Sequence, residues 1–169
     1  MPSPPLTIQF TKRPDGAVVL RYRRADGSVV WQRYEGSHAR FFPYHDLSHL
    51  AVEAELGITR GFYGLLAEGW EVADLEGKGA RGPLPPESVL VEFIVSLFDS
   101  ETAGGAPPLP APEFNAQLAA MLQDKNLPAP PAFSDARLAA VRHRRLALHA
   151  AWDQVPPGAS LEVPFAPTT

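Results

Sequence analysis

The sequence predicts an α+β fold in which an N-terminal three-stranded antiparallel meander packs against a layer of about five helices. Three observations carry this expectation. Short strand-like segments near the start are separated by Asp-Gly pairs, apolar residues recur at helical spacing through the rest, and proline-rich stretches fall between those later segments. The 169 residues fit one domain, with the meander at 1–36, the helical layer at 37–158 and a tail at 159–169 that could return as an edge strand.

The strands are expected over Leu6–Arg13, Ala17–Arg24 and Ser28–Tyr34, because these segments are rich in β-branched and aromatic residues. Asp15-Gly16 and Asp26-Gly27 sit where hairpin turns need positive φ. Ile8, Phe10, Val18, Leu20, Val29 and Trp31 would then supply the buried face. A small sheet is marginal alone, so its apolar face needs the helices as a partner.

Pro43 suits a first helical position and Gly57 a stop, which predicts a helix over Pro43–Leu56. A short helix is expected over Gly61–Trp70. In Val89–Phe98, the spacing of Leu90, Phe93, Ile94, Leu97 and Phe98 favours a helix over a buried strand. Phe114, Leu118, Met121 and Leu122 mark another amphipathic helix, and Ser134 or Asp135 can cap a last one reaching about Asp153. Prolines punctuate these segments as stiff connectors, of which Thr102–Pro112 is the longest.

Composition narrows the chemistry. With no cysteine there is no disulfide framework, thiolate ligand or cysteine nucleophile, so any metal must be held by nitrogen and oxygen. No stretch has the roughly 18 apolar residues of a bilayer-spanning helix, and Met1–Phe10 lacks the pattern of an export signal, so a cytoplasmic location is expected. Seven basic and three acidic residues give positions 1–40 a charge of +4, which leaves −8 for the remainder of a chain whose total is −4. The arginines of the meander, with Tyr22, Trp31 and Tyr34 among them, could meet nucleic acid. The alternation of Trp31 with Gln32 and the acidic total argue against it, and outward arginines paired with an acidic helical layer are expected instead.

His45-Asp46-Leu47-Ser48-His49 is the run whose spacing suggests chemistry. On a helix, two histidines four apart leave the same side, an arrangement that lets two imidazoles grip one divalent ion. At about 100° per residue, Leu47, Leu50, Ala51 and Ala54 form one stripe, and His45, His49, Val52 and Leu56 the opposite one with Glu53 at its margin. If Val52 and Leu56 are covered, the histidines line an interior crevice. A zinc or other divalent site then needs a third protein ligand, for which Glu68 and Glu53 are the candidates, and leaves a fourth position for water.

This helix resembles that of the gluzincin-type zincin metallopeptidases, in which His-Glu-x-x-His is completed by a glutamate roughly twenty residues later. The resemblance implies His45, His49 and Glu68 as ligands and Asp46 as the counterpart of the catalytic general base, with aspartate in place of glutamate. It is also similar to the His-Asp-x-x-His zinc helix of the ubiquinone-biosynthesis (coenzyme-Q assembly) family, although the expected downstream glutamate would fall near Gly61. The His45-Asp46 doublet further resembles HD-type phosphohydrolases, with His38 and Asp74 as the other candidates.

Arg142-His143-Arg144-Arg145 reads as a solvated basic face, while His143 or His149 could approach the site singly. Gly61 and Gly64 are expected to permit close packing or a bend. No Gly-x-Ser-x-Gly elbow or phosphate-binding Gly-Lys loop is present. The expected function is that of a metal-binding, hydrolase-like protein acting on an unknown small molecule or peptide. The alternative is a non-enzymatic interaction domain that engages a protein partner and whose histidine helix is structural.

Overall fold

The computed structural model describes residues 5–105 and 107–168. Its elements run β1 (Leu6–Lys12), β2 (Val18–Arg24), β3 (Val29–Tyr34), α1 (Gly36–Leu56), α2 (Phe62–Ala67), α3 (Val72–Leu75), α4 (Pro86–Ala103), α5 (Ala111–Gln123), α6 (Asp135–Asp153) and β4 (Ser160–Phe165). The fold is α+β. The meander gains β4 as a fourth antiparallel strand along β1, giving the order β3-β2-β1-β4, so the tail is an edge strand.

Three-residue loops set the register. Gly16 and Gly27 adopt φ of 85° and 86°, and the loop of Ala25, Asp26 and Gly27 pairs Tyr22 with Val30. That register corrects the expected face of β3: Val30 is buried beside Tyr22, whereas Val29 is 41% and Trp31 64% exposed. Side chains alternate along a strand, so a shift of one residue exchanges every partner between faces. Gln32 and Tyr34 consequently point toward the helices.

α1 is the central element. Leu47 and Leu50 pack with Leu6, Ile8, Phe10, Leu20, Tyr22 and Tyr63 in a core against the sheet. Val52 and Leu56 enter a second core with Val91, Ile94, Phe98, Phe114, Leu118 and Val141 of α4, α5 and α6. Apolar residues on both sides of one helix follow from this double coverage. It is the case in which the histidine stripe is enclosed, and His49 is 3% exposed.

Pro43 lies inside α1 rather than at its first turn, because the helix already begins at Gly36, with Glu35 alone between it and the end of β3 at Tyr34. Burial of Ala39 and Pro43 and stacking of Phe42 on Tyr34 at 5.0 Å compensate for the donor that proline lacks. The Gly61–Trp70 segment is helical over Phe62–Ala67, and α3 follows, so six helices rather than five are present among the described residues. The connector expected at Thr102–Pro112 narrows to 104–110, because α4 extends to Ala103 and α5 starts at Ala111. Ala106 lies outside the described residues. No helix of the described residues is long and apolar enough to cross a membrane.

Candidate metal centre

His45 and His49 leave α1 one turn apart, and their Nε2 atoms stand 3.2 Å from each other. The third member of the group is Glu92, on α4. Its Oε1 is 3.3 Å from His49 Nε2 and its Oε2 is 3.8 Å from His45 Nε2. Three donors around one zinc at about 2.0–2.1 Å with tetrahedral angles would be spaced by roughly 3.3–3.4 Å, so the 3.2 and 3.3 Å separations match edges of such a site, while the contact of the second Glu92 oxygen with His45 is longer. His45, His49 and Glu92 form a group that could hold a metal ion.

The residues behind the imidazoles are equally ordered. Asp99, two turns beyond Glu92 on α4, places Oδ2 3.4 Å from His45 Nδ1 and accepts from Arg145 Nη2 through Oδ1 at 2.6 Å. Arg145 is buried and also donates to Ser48 Oγ at 2.8 Å and Thr102 Oγ1 at 2.7 Å, so one guanidinium ties α6 to α1 and α4. Behind His49, Glu53 Oε1 is 3.7 Å from Nδ1, which has no hydrogen-bond partner although it is buried. Glu53 itself is fully buried and accepts from the backbone N–H groups of Tyr63 (3.0 Å) and Gly64 (3.2 Å).

Close approach makes this anchoring possible. A Cβ at Gly64 would lie 1.8 Å from the Thr59 carbonyl oxygen, and one at Gly61 would lie 2.5 Å from the Glu53 carboxyl carbon. These glycines permit packing, as their sequence context suggested.

Burial disfavours a charged His49, but the carboxylates of Glu53 and Glu92 outweigh it and hold the imidazolium up at about 10. Burial likewise opposes ionisation of Glu92, and the neighbouring histidines reverse that effect and lower its pKa. The site without an ion is thus a place where negative charge attracts a cation, here a proton.

Asp46 is buried on the sheet side of the same helix, where Oδ2 accepts from the Tyr34 hydroxyl at 3.0 Å. Burial pushes its carboxyl up to about 6, against the charges of His49 and His45 and the Tyr34 hydrogen bond, which lower it. Asp46 shares with His45, His49 and Glu92 a cleft of about 210 Å³ also lined by Gln32, Tyr34, Phe62 and Glu76. Phe41 stacks on the His45 ring at 5.6 Å and covers it from outside.

The other candidates lie elsewhere. Glu68 is an exposed residue paired with Arg60 at 3.2 Å and does not join the group; Glu53 supports His49 from the Nδ1 side. His38 is exposed beside Phe42, and Asp74 accepts from the Glu71 backbone N–H as part of a capping box. His149 donates to the Tyr44 carbonyl oxygen at 2.9 Å, while His143 is exposed. The basic run on α6 is not a solvated face: Arg142 pairs with Glu101 at 2.7 Å, Arg144 with Glu55 at 3.0 Å and Arg145 with Asp99. On the meander, Arg24 reaches Glu71 in the helical layer, whereas Arg33 pairs locally with Asp15 and Glu35.

Glu92 was available to a reader of the sequence as the one charged residue within the apolar run Val89–Phe98. A carboxylate there must find a cation, a donor or water.

No protein family, curated protein or solved structure matches this chain.

Proposed function

We propose that the protein is a metal-dependent, hydrolase-like protein in which His45 Nε2, His49 Nε2 and a Glu92 oxygen hold one divalent ion, zinc being the first choice. The observation that carries this reading is the convergence of three side chains from two helices, with the two Nε2 atoms 3.2 Å apart, one Glu92 oxygen 3.3 Å from His49 Nε2 and the other 3.8 Å from His45 Nε2. Two imidazoles and one carboxylate are the donor set of a catalytic rather than a closed structural zinc site, since a fourth position stays available for water. The ion would lower the pKa of that water toward neutrality and so supply a nucleophile.

The chain's own residues have separate tasks. Asp99 and Glu53 stand behind the two imidazoles and fix their orientation, as carboxylates beside metal-binding histidines do. Asp46, held by Tyr34 on the same cleft, is the residue placed to take and return a proton. Glu92 takes the role that the gluzincin resemblance gave to Glu68.

X-ray absorption on the zinc-loaded protein tests the ligand set. Two imidazole scatterers in a nitrogen and oxygen shell at about 2.0–2.1 Å are expected, and a shell without imidazole overturns the reading. Asp46→Asn should keep the zinc and lose turnover of any ester or anilide that the wild type cleaves. Loss of zinc in that variant would put Asp46 among the ligands instead.

One observation favours a second reading, a binding domain: the outer face of the sheet carries Trp31, 64% exposed, cross-strand from Arg21. Retention of single-stranded oligonucleotides at low salt, lost on Trp31→Ala, would support it.

A further inference from the structure

Two cavities meet at the His45, His49 and Glu92 group, and their linings differ in kind. His49, Phe62, Leu75 and Glu92 belong to both. On one side lies the polar cleft, with Gln32, Tyr34, Asp46 and Glu76. On the other, Phe62, Leu75, Leu84 and Val89 line a half-open pocket of about 80 Å³. Ser88 also lines that pocket, but its hydroxyl donates to the Arg60 carbonyl oxygen at 3.3 Å. The space beyond His49 and Glu92 is therefore apolar, with Leu84 at its rim.

We propose that the molecule bound here carries a short aliphatic group of three or four carbons. That group occupies the pocket of Phe62, Leu75, Leu84 and Val89, and the polar part of the molecule faces Gln32, Tyr34 and Asp46. The placement of its reacting group rests on the metal reading above; the pocket is built by side chains alone. Size follows from volume. An apolar cavity of about 150 Å³ takes up benzene, so one of about 80 Å³ is too small for a phenyl ring and suits a propyl or butyl group. Each methylene that fits adds about fourfold to affinity, and the gain stops where the pocket ends.

The test uses primary amides, acetamide, butyramide, valeramide, hexanamide and benzamide, titrated into full-length protein. Binding is followed through the methyl resonances of Leu84 and Val89, with and without zinc. Affinity should rise about fourfold per carbon up to valeramide, gain nothing further at hexanamide and be weaker for benzamide. Leu84→Ala should move the optimum to hexanamide, and Leu84→Trp should flatten the series. Affinity climbing steadily through hexanamide, a series indifferent to chain length, or silent Leu84 and Val89 methyls would overturn the proposal. If zinc does not bind, the metal reading fails separately, and the series in metal-free protein still decides the pocket.

Discussion

Asp99 stands behind His45, with its Oδ2 3.4 Å from Nδ1, while its other oxygen accepts from the buried Arg145. One carboxylate thus connects the candidate metal ligand on α1 to the arginine of α6.

Asp99→Asn keeps the shape and removes the charge behind His45. Zinc affinity, measured against a competing chelator, should fall about 10- to 100-fold, with little change in fold. Asp99→Ala should in addition cost on the order of 3 kcal/mol of stability, because Arg145 is left buried without its anion. Unchanged affinity in the asparagine variant would show that Asp99 serves the fold alone.

Gly64→Ala should destabilise the protein by about 3 kcal/mol or more in urea unfolding. The added Cβ would fall 1.8 Å from the Thr59 carbonyl oxygen, beyond what repacking absorbs cheaply. Because Glu53 accepts from the Tyr63 and Gly64 N–H groups, the displacement should also reach His49 and weaken zinc binding. A variant with wild-type stability would contradict the close packing of Gly64 against the Thr59 backbone.

Burial lowers the pKa of His149 below its ordinary value, with its ring N–H donating to the Tyr44 carbonyl oxygen. The unfolded chain therefore binds the proton more readily than the folded one. The stability this group contributes is present above the ordinary histidine pKa of about 6.5 and is lost as pH falls through and below it. In chelator-treated protein, wild type should lose more thermal stability between pH 7.5 and pH 5 than His149→Gln does. Equal losses in the two proteins would remove His149 from the account.

Much of the fold was legible because its signals are local. Asp15-Gly16 and Asp26-Gly27 announced both hairpins, whereas the apolar residues on both sides of α1 left open whether one side or both would be covered, and packing against α4 and α6 decided it. The face of β3 was not legible, because Gly27 ends a three-residue loop and the resulting register turns Val30 rather than Val29 inward. The start of α1 was misplaced because Pro43 resembles a first helical residue, and only tertiary packing holds it within the helix.

The site divides in the same way. His45 and His49 are neighbours through helical geometry, so their convergence could be read from spacing. Glu92 and Asp99 come from a helix some forty residues later, and their pairing with α1 depends on how α4 packs. Their separation by two turns, with Glu92 set in an apolar run, was the available trace. Glu68 had the right spacing along the chain and the wrong place in space.

Elemental analysis of protein purified without chelator tests the central claim most directly, comparing wild type with His49→Ala, Glu92→Ala and Glu68→Ala. The account predicts a near-stoichiometric divalent metal in wild type and in Glu68→Ala, and its loss in the other two. Trace metal in wild type, or metal retained when Glu92 is removed and lost when Glu68 is, would contradict it.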